Sequence, residues 1–145
     1  MTSAEYLEWE SHQEIRYEYS NGEVFAMAGG TKDHDKIAFN LRKVLDDKVE
    51  TEGCDMTGSE IEVMVQDGRF YRYPDLTVGC DKRDRENETF YQFPKLIVEV
   101  ISDSTENVDR GDKFQEYIQI PTLKEYVLVS SRQIQVECYR RGEGK

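Results

Sequence analysis

The stretch Lys95 to Ser102, KLIVEVIS, reads as a buried strand with a carboxylate at its centre. Side chains alternate along a strand, so Glu99 shares a face with Ile97 and Ile101 while Leu96, Val98 and Val100 line the other. A register slip cannot hide the charge without moving every neighbour. An ionised carboxylate among apolar side chains is costly unless it is paired, hydrogen-bonded or bound to a metal. Some other part of the chain must therefore answer to Glu99.

The segment before this strand carries a second carboxylate. In RFYRYPDLTVGC, Asp75 follows a proline and shares its face with Thr77, whereas Leu76 and Val78 point the other way. Asp75 can thus face Glu99. It also reads as an ordinary turn or strand-start residue after proline. Pro74, inside a run read as one returning strand, suggests an edge position or a bulge. After Glu99, DSTENV is a cap-rich turn, Ser102, Ser104 and Thr105 serve as caps for the following turn and helix, and DRGDKFQEYIQI has the pattern of a short helix ended by Pro121. Arg110, Lys113, Phe114, Tyr117 and Ile118 fall on one side of that helix, which sets Lys113 beside the core-facing stripe.

Each of these residues has a plain structural explanation. Glu99 can pair with Arg72 or Lys95, and Lys113 can be a surface lysine laying its stem along the core. Taken together, two carboxylates and a lysine suit a hydrolase using a hard divalent cation, with the lysine orienting a water or stabilising its developing charge.

The rest of the chain reads as α+β with a mixed sheet flanked by helices. Thr2 and Glu5 form a capping-box pattern ahead of Tyr6, Leu7 and Trp9. Asn21-Gly22 and Asp67-Gly68 each sit between alternating segments as hairpin turns. From Asp33 to about Glu50, His34, Ile37, Ala38, Leu41, Leu45 and Lys48 recur at helical spacing, and Gly53 stops the helix. DKRDRENETFYQF reads as an exposed connection, and EYVLVSS with QIQVECYRR as a closing antiparallel pair.

Composition limits the functional classes. The 145 residues make one domain, 1–145, with no repeat, linker or low-complexity tract. Three cysteines with no CxxC pair argue against a disulfide framework or zinc ribbon, which favours a cytoplasmic setting. No apolar run is long enough for a membrane span, and MTSAEYLEWE has neither region of a signal peptide. The formal net charge of −11 opposes general phosphate binding, which comes mainly from Lys and Arg.

The motifs YPDLTV, PKLIVEVISDST and DRGDKFQEY, with RYEYSNGEVFAMAGGT and His34 upstream and LKEYVLV downstream, resemble the Uma-type restriction endonuclease family of the PD-(D/E)XK nuclease superfamily. The resemblance runs from about Thr2 to Arg141. It implies a restriction-endonuclease-like core, and Asp75, Glu99 and the Val100 carbonyl as ligands to Mg²⁺, with Mn²⁺ as a substitute. It carries over Glu18 as an acid near the metal or its water; as a residue of the first hairpin, Glu18 also reads as a solvated carboxylate. The residue two after Glu99 is Ile101, where the superfamily formula has lysine, so Lys113 takes that role. His34 and Arg110 become candidates for substrate contact, with Gln115 a weaker one; His34 also reads as a hydrogen-bonded residue at the helix start.

The implied reaction is hydrolysis of phosphodiester bonds, in DNA as partner, by a chain that can form a homo-oligomer. Relatives of this pattern often continue beyond the last strand, so a C-terminal extension is expected to be lacking here. A basic groove drawn from Arg69, Arg72, Lys82, Arg83, Arg85 and Arg110 would reconcile DNA binding with the overall acidity. Two other functions stay open: a nuclease-like fold kept as an inactive binding or regulatory module, and a metal-dependent hydrolase of another phosphate ester.

Overall fold

The computed structural model describes residues 1–27, 31–101, 111–133 and 135–141. In chain order these form α1 (Ser3–Glu10), β1 (Tyr17–Ser20), β2 (Glu23–Ala26), α2 (Lys32–Thr51), β3 (Asp55–Thr57), β4 (Glu62–Val65), β5 (Phe70–Arg72), β6 (Leu76–Gly79), α3 (Lys82–Arg85), β7 (Phe90–Tyr91), β8 (Pro94–Ile101), α4 (Asp112–Tyr117), β9 (Glu125–Ser130) and β10 (Val136–Arg140). The α+β class holds, with mixed pairing divided between two sheets. One runs β2-β1-β5-β4-β7 and the other β10-β9-β8-β6-β3. Each contains one parallel pair, β4 with β7 and β8 with β9.

Local chemistry sets the element ends. The Thr2 and Glu5 side chains each accept the other's backbone N–H, closing the capping box of α1. Asn21 and Gly22 both have positive φ, 47° and 91°, as the tight turn between β1 and β2 requires. The Thr31 hydroxyl caps α2 by accepting the His34 N–H. At the other end Gly53 turns left-handed (φ 75°), and the Cys54 N–H reaches back to the Val49 carbonyl at 3.0 Å. Those bonds satisfy carbonyls that the helix end would otherwise leave open.

Three expectations are corrected. The run RFYRYPDLTVGC is not one strand: β5 lies in the first sheet and β6 in the second, and Pro74 stands between them. A residue without an N–H suits that gap, because no ladder partner is needed there. The connection read as exposed is largely so, but it also folds into α3 and β7, where Asp84 is buried and accepts the Gln92 and Phe93 amides. Cys54 and Cys80 form a disulfide, joining the segment after α2 to the end of β6. Their proximity arises from the β3–β6 pairing, which cysteine spacing does not reveal.

The burial is layered. Tyr6 of α1 packs with Tyr19 and Tyr71 on the outer face of the first sheet. Between the sheets lie Val63, Val65, Ile97, Ile101, Tyr126 and Leu128, joined by Tyr117 of α4. Outside the second sheet, Ile37, Leu41, Leu45 and Val49 of α2 meet Leu76, Val78 and Val98. Glu99 therefore projects into the layer between the sheets, on the face it shares with Ile97 and Ile101.

Candidate active site

β6 ends its pairing with β8 at Leu76 opposite Val98, so the next residue back, Asp75, stands beside Glu99. The Asp75 N–H donates to Glu99 Oε1 at 3.3 Å, and the Val100 N–H donates to Asp75 Oδ2 at 2.7 Å. These two main-chain bonds lock the carboxylates side by side. The N–H and C=O of one strand residue leave on the same edge, so the Val100 carbonyl also points toward Asp75, where β6 has ended. His34, one turn into α2, meets Asp75 Oδ1 through Nε2 at 2.6 Å.

α4 completes the cluster. Lys113 and Tyr117 lie one turn apart on its buried face; Lys113 Nζ donates to Glu99 Oε2 at 3.0 Å, and the Tyr117 hydroxyl approaches the same oxygen at 3.4 Å. Burial, with the Glu99 charge beside it, raises the Tyr117 pKa well above that of a free phenol, so the hydroxyl keeps its proton. Glu99 is only 3% exposed. The inward stripe of α4 and the turn after it is Lys113, Glu116, Tyr117 and Ile120, while Ile118 at the helix end faces outward.

The first sheet contributes from the opposite side. Glu18 and Arg72 face inward, because their neighbours Tyr19 and Tyr71 face α1. Arg72 donates to Glu18 at 3.2 Å and to both oxygens of Glu116, at 2.9 and 2.7 Å. Burial opposes the Arg72 charge, but its bonds and attractions to Glu116 and Glu18 outweigh that cost and keep it protonated. Glu18 also accepts the Tyr73 N–H and stands 3.9 Å from Lys113. It is a buried, clamped carboxylate rather than a solvated one.

Of the residues singled out from sequence, Asp75, Glu99, Val100, Lys113 and His34 converge, and Glu18 joins through Lys113. Arg110 lies outside the described residues, as do Ser102, Ser104 and Thr105. The counter-ion of Glu99 is Lys113 rather than Arg72 or Lys95, which pairs with Glu52 at 3.5 Å. Of the described arginines named for the anticipated basic groove, Arg72 is internal and Arg83 is paired with Asp81, while the exposed Arg69 and Arg85 donate to the neutral Asn21 side chain and Gly53 carbonyl. Sequence reasoning missed Glu116 and Tyr117 as polar partners. Their i, i+3 and i, i+4 offsets from Lys113 are the signal that could have found them.

This arrangement, acids from adjacent strands with a lysine from the following helix, sits in a restriction-endonuclease-like fold. A crystal structure of a "putative nuclease belonging to DUF820" from Anabaena variabilis superposes with a TM-score of 0.74 at 16% identity, covering 97% of this chain and 85% of that one. The family model Uma2, described as "Putative restriction endonuclease", matches residues 3–145, and the chain belongs to that family. Two uncharacterized proteins of Synechocystis are relatives: slr1290, 36% identical over 99% of this chain and 75% of its own length, and sll1609, 30% identical over 97% and 81%. Among the described residues no helix is long and apolar enough to cross a membrane.

Proposed function

We propose that this chain is an endonuclease hydrolysing phosphodiester bonds in DNA, with Asp75, Glu99 and the Val100 carbonyl as ligands to Mg²⁺ or Mn²⁺. The observation that carries this reading is the convergence of Asp75, Glu99 and Lys113, which come from three separate segments: the Asp75 main-chain N–H and the Lys113 ammonium both donate to the Glu99 carboxylate. The donor chemistry fits a hard cation, since all three proposed ligands offer oxygen. Among the described residues, the carboxylates of Glu18, Asp75, Glu99 and Glu116 gather around Arg72 and Lys113, with His34 on Asp75. No group of three His, Cys, Asp or Glu side chains among the described residues could hold an ion alone, so water would supply the remaining ligands. A bound divalent ion would polarise a phosphoryl oxygen and lower the pKa of water.

The protein's own groups have definable tasks. Val100 and His34 hold the Asp75 carboxylate from two sides, fixing its rotamer before substrate arrives. Tyr117 and Lys113 do the same for Glu99. The Lys113 ammonium, between Glu99 and Glu18, orients the attacking water and stabilises negative charge gathering on phosphate. Attack forms one P–O bond as the bond to the leaving sugar oxygen breaks; the water's proton passes to solvent, and the leaving oxyanion takes one up.

The test is cleavage of supercoiled plasmid and of a single-stranded oligonucleotide in Mg²⁺ or Mn²⁺. Wild type should cut, and Asp75→Asn and Glu99→Gln should each lose about 100-fold or more. Mn²⁺ should also raise the melting temperature of wild type but not of Asp75→Asn. Equal cutting by all three proteins would mean a contaminant. A folded wild type that neither cuts nor responds to Mn²⁺ would leave the inactive binding module as the answer.

A further inference from the structure

Asp75 also closes the end of a groove that the site chemistry does not use. One wall is α2, with Asp35, Phe39 and Arg42 on one face at i, i+4 and i+7; the other is the segment Thr57–Ile61. The groove encloses about 380 Å³, within the range of small-molecule sites, roughly 300–1,000 Å³. A second hollow of about 400 Å³ shares Phe39 and Arg42 and continues along α2 past Lys43. Phe39 stands between them, 60% exposed although it is a large apolar residue.

Two details set the Arg42 cation against the opposite wall. Arg42 donates to the Met56 carbonyl at 3.3 Å, its one hydrogen bond among the described residues. A Cβ on residue 58 would lie 3.3 Å from Arg42 Nη1, so glycine at 58 leaves the guanidinium its space. The Lys43 ammonium rests 5.5 Å from the Phe39 ring centre. An exposed aromatic ring beside two cations, in a trough leading to the candidate phosphate site, is the combination that binds unpaired nucleotides. A ring can stack only on a base whose face is free, which a duplex denies it. Stacking also needs no large positive field, and this groove has Asp35 and Glu60 on its walls in a chain of net charge −11.

We propose that the groove between α2 and Thr57–Ile61 holds the nucleotide next to the scissile phosphate of a single-stranded nucleic acid, its base on Phe39 and the following phosphate at Arg42. The assignment rests on the nuclease reading for the position of that phosphate, and its test does not require cutting. Fluorescence anisotropy of a labelled oligothymidylate of about twelve nucleotides, in EDTA with the full chain otherwise native, reads binding without turnover. Phe39→Ala should raise Kd about tenfold, and Arg42→Gln about threefold. Melting temperature should not change with Phe39→Ala, since the ring is exposed. Phe39→Trp should keep the affinity and lose indole fluorescence when the strand is added, against the baseline of the single native Trp9.

Unchanged Kd in Phe39→Ala, no quenching in Phe39→Trp, or no binding by the parent would overturn the groove assignment. An equal loss on a blunt duplex of the same length would overturn its single-strand character. Cutting that vanishes in Asp75→Asn alongside unchanged Phe39→Ala binding sinks the groove alone. Tight, Phe39-dependent binding by a protein that cuts nothing supports the groove and sinks the catalytic reading.

Discussion

Glu99 and Glu62 are both buried glutamates on strands flanked by apolar residues, and the molecule treats them differently. Glu99 faces the layer between the sheets, where Lys113 donates to it at 3.0 Å and Asp75 stands beside it. Glu62 faces α1 among tyrosines, and no cation pairs with it among the described residues. Its short bond is with the Tyr6 hydroxyl, 2.6 Å from Oε2. That hydroxyl also reaches the Tyr17 carbonyl and has one proton for two acceptors. A protonated Glu62 resolves the conflict by donating to Tyr6, which then donates to Tyr17. Burial accordingly pushes Glu62 up to about 7, against the Tyr6 hydrogen bond, which favours the charge. The same residue type in the same pattern is a paired anion in one sheet and an acid poised to lose its proton in the other. What decides is the element packed over it: α4 brings a lysine, α1 brings phenols.

The contrast can be broken most sharply at Lys113. Lys113→Met leaves Glu99 beside Asp75 without its ammonium and should cost about 3–5 kcal/mol in urea unfolding. The double variant with Glu99→Gln should recover much of that loss. A double variant no more stable than the single would mean that Lys113 acts through packing. Next is the covalent brace on the Glu99 side. Cys54→Ser should lower stability by about 3 kcal/mol under oxidising conditions, as expected for a bridge across 26 residues, and match wild type in reductant.

The smallest effect belongs to Glu62. Its folded pKa, about 7, lies above the ordinary 4.5, so the folded state holds the proton more tightly than the unfolded chain. The associated stability is fully present below the unfolded pKa and is lost as pH rises through 7. Glu62→Gln mimics the protonated form. It should therefore be more stable than wild type by about 2 kcal/mol near pH 8 and little different near pH 5, measured as urea midpoints. A difference independent of pH would show that Glu62 is not the titrating group.

How much could be read beforehand follows from the range of the interactions involved. Glu99 announces itself through strand alternation, and the two strands' faces allow Asp75 to meet it, although the same residue also reads as a turn after proline. The Thr2–Glu5 box, the Asn21-Gly22 turn and the Gly53 stop are local chemistry and were equally legible. The division into two sheets was not, because Pro74 is compatible with an edge, a bulge or a crossing until the partners of β5 and β6 are known. Arg72 looked available for DNA because nothing adjacent in sequence neutralises it; its partners Glu18 and Glu116 lie 54 and 44 residues away. The Cys54–Cys80 bridge was hidden for the same reason. Phe39 lies off the inward stripe of α2, and an exposed ring on a helix carries no signal in periodicity alone.

The crossing at Pro74 has a consequence for assembly. Proline has no amide to give, and the amides on either side of it go to different sheets: Tyr73 donates to Glu18 and Asp75 donates to Glu99. The stitch between the two halves is thus made by acids of the candidate site. A chain refolding from urea should regain the proposed cutting only after both halves have docked, however early each forms alone, so that activity would be a clock for the last step of folding.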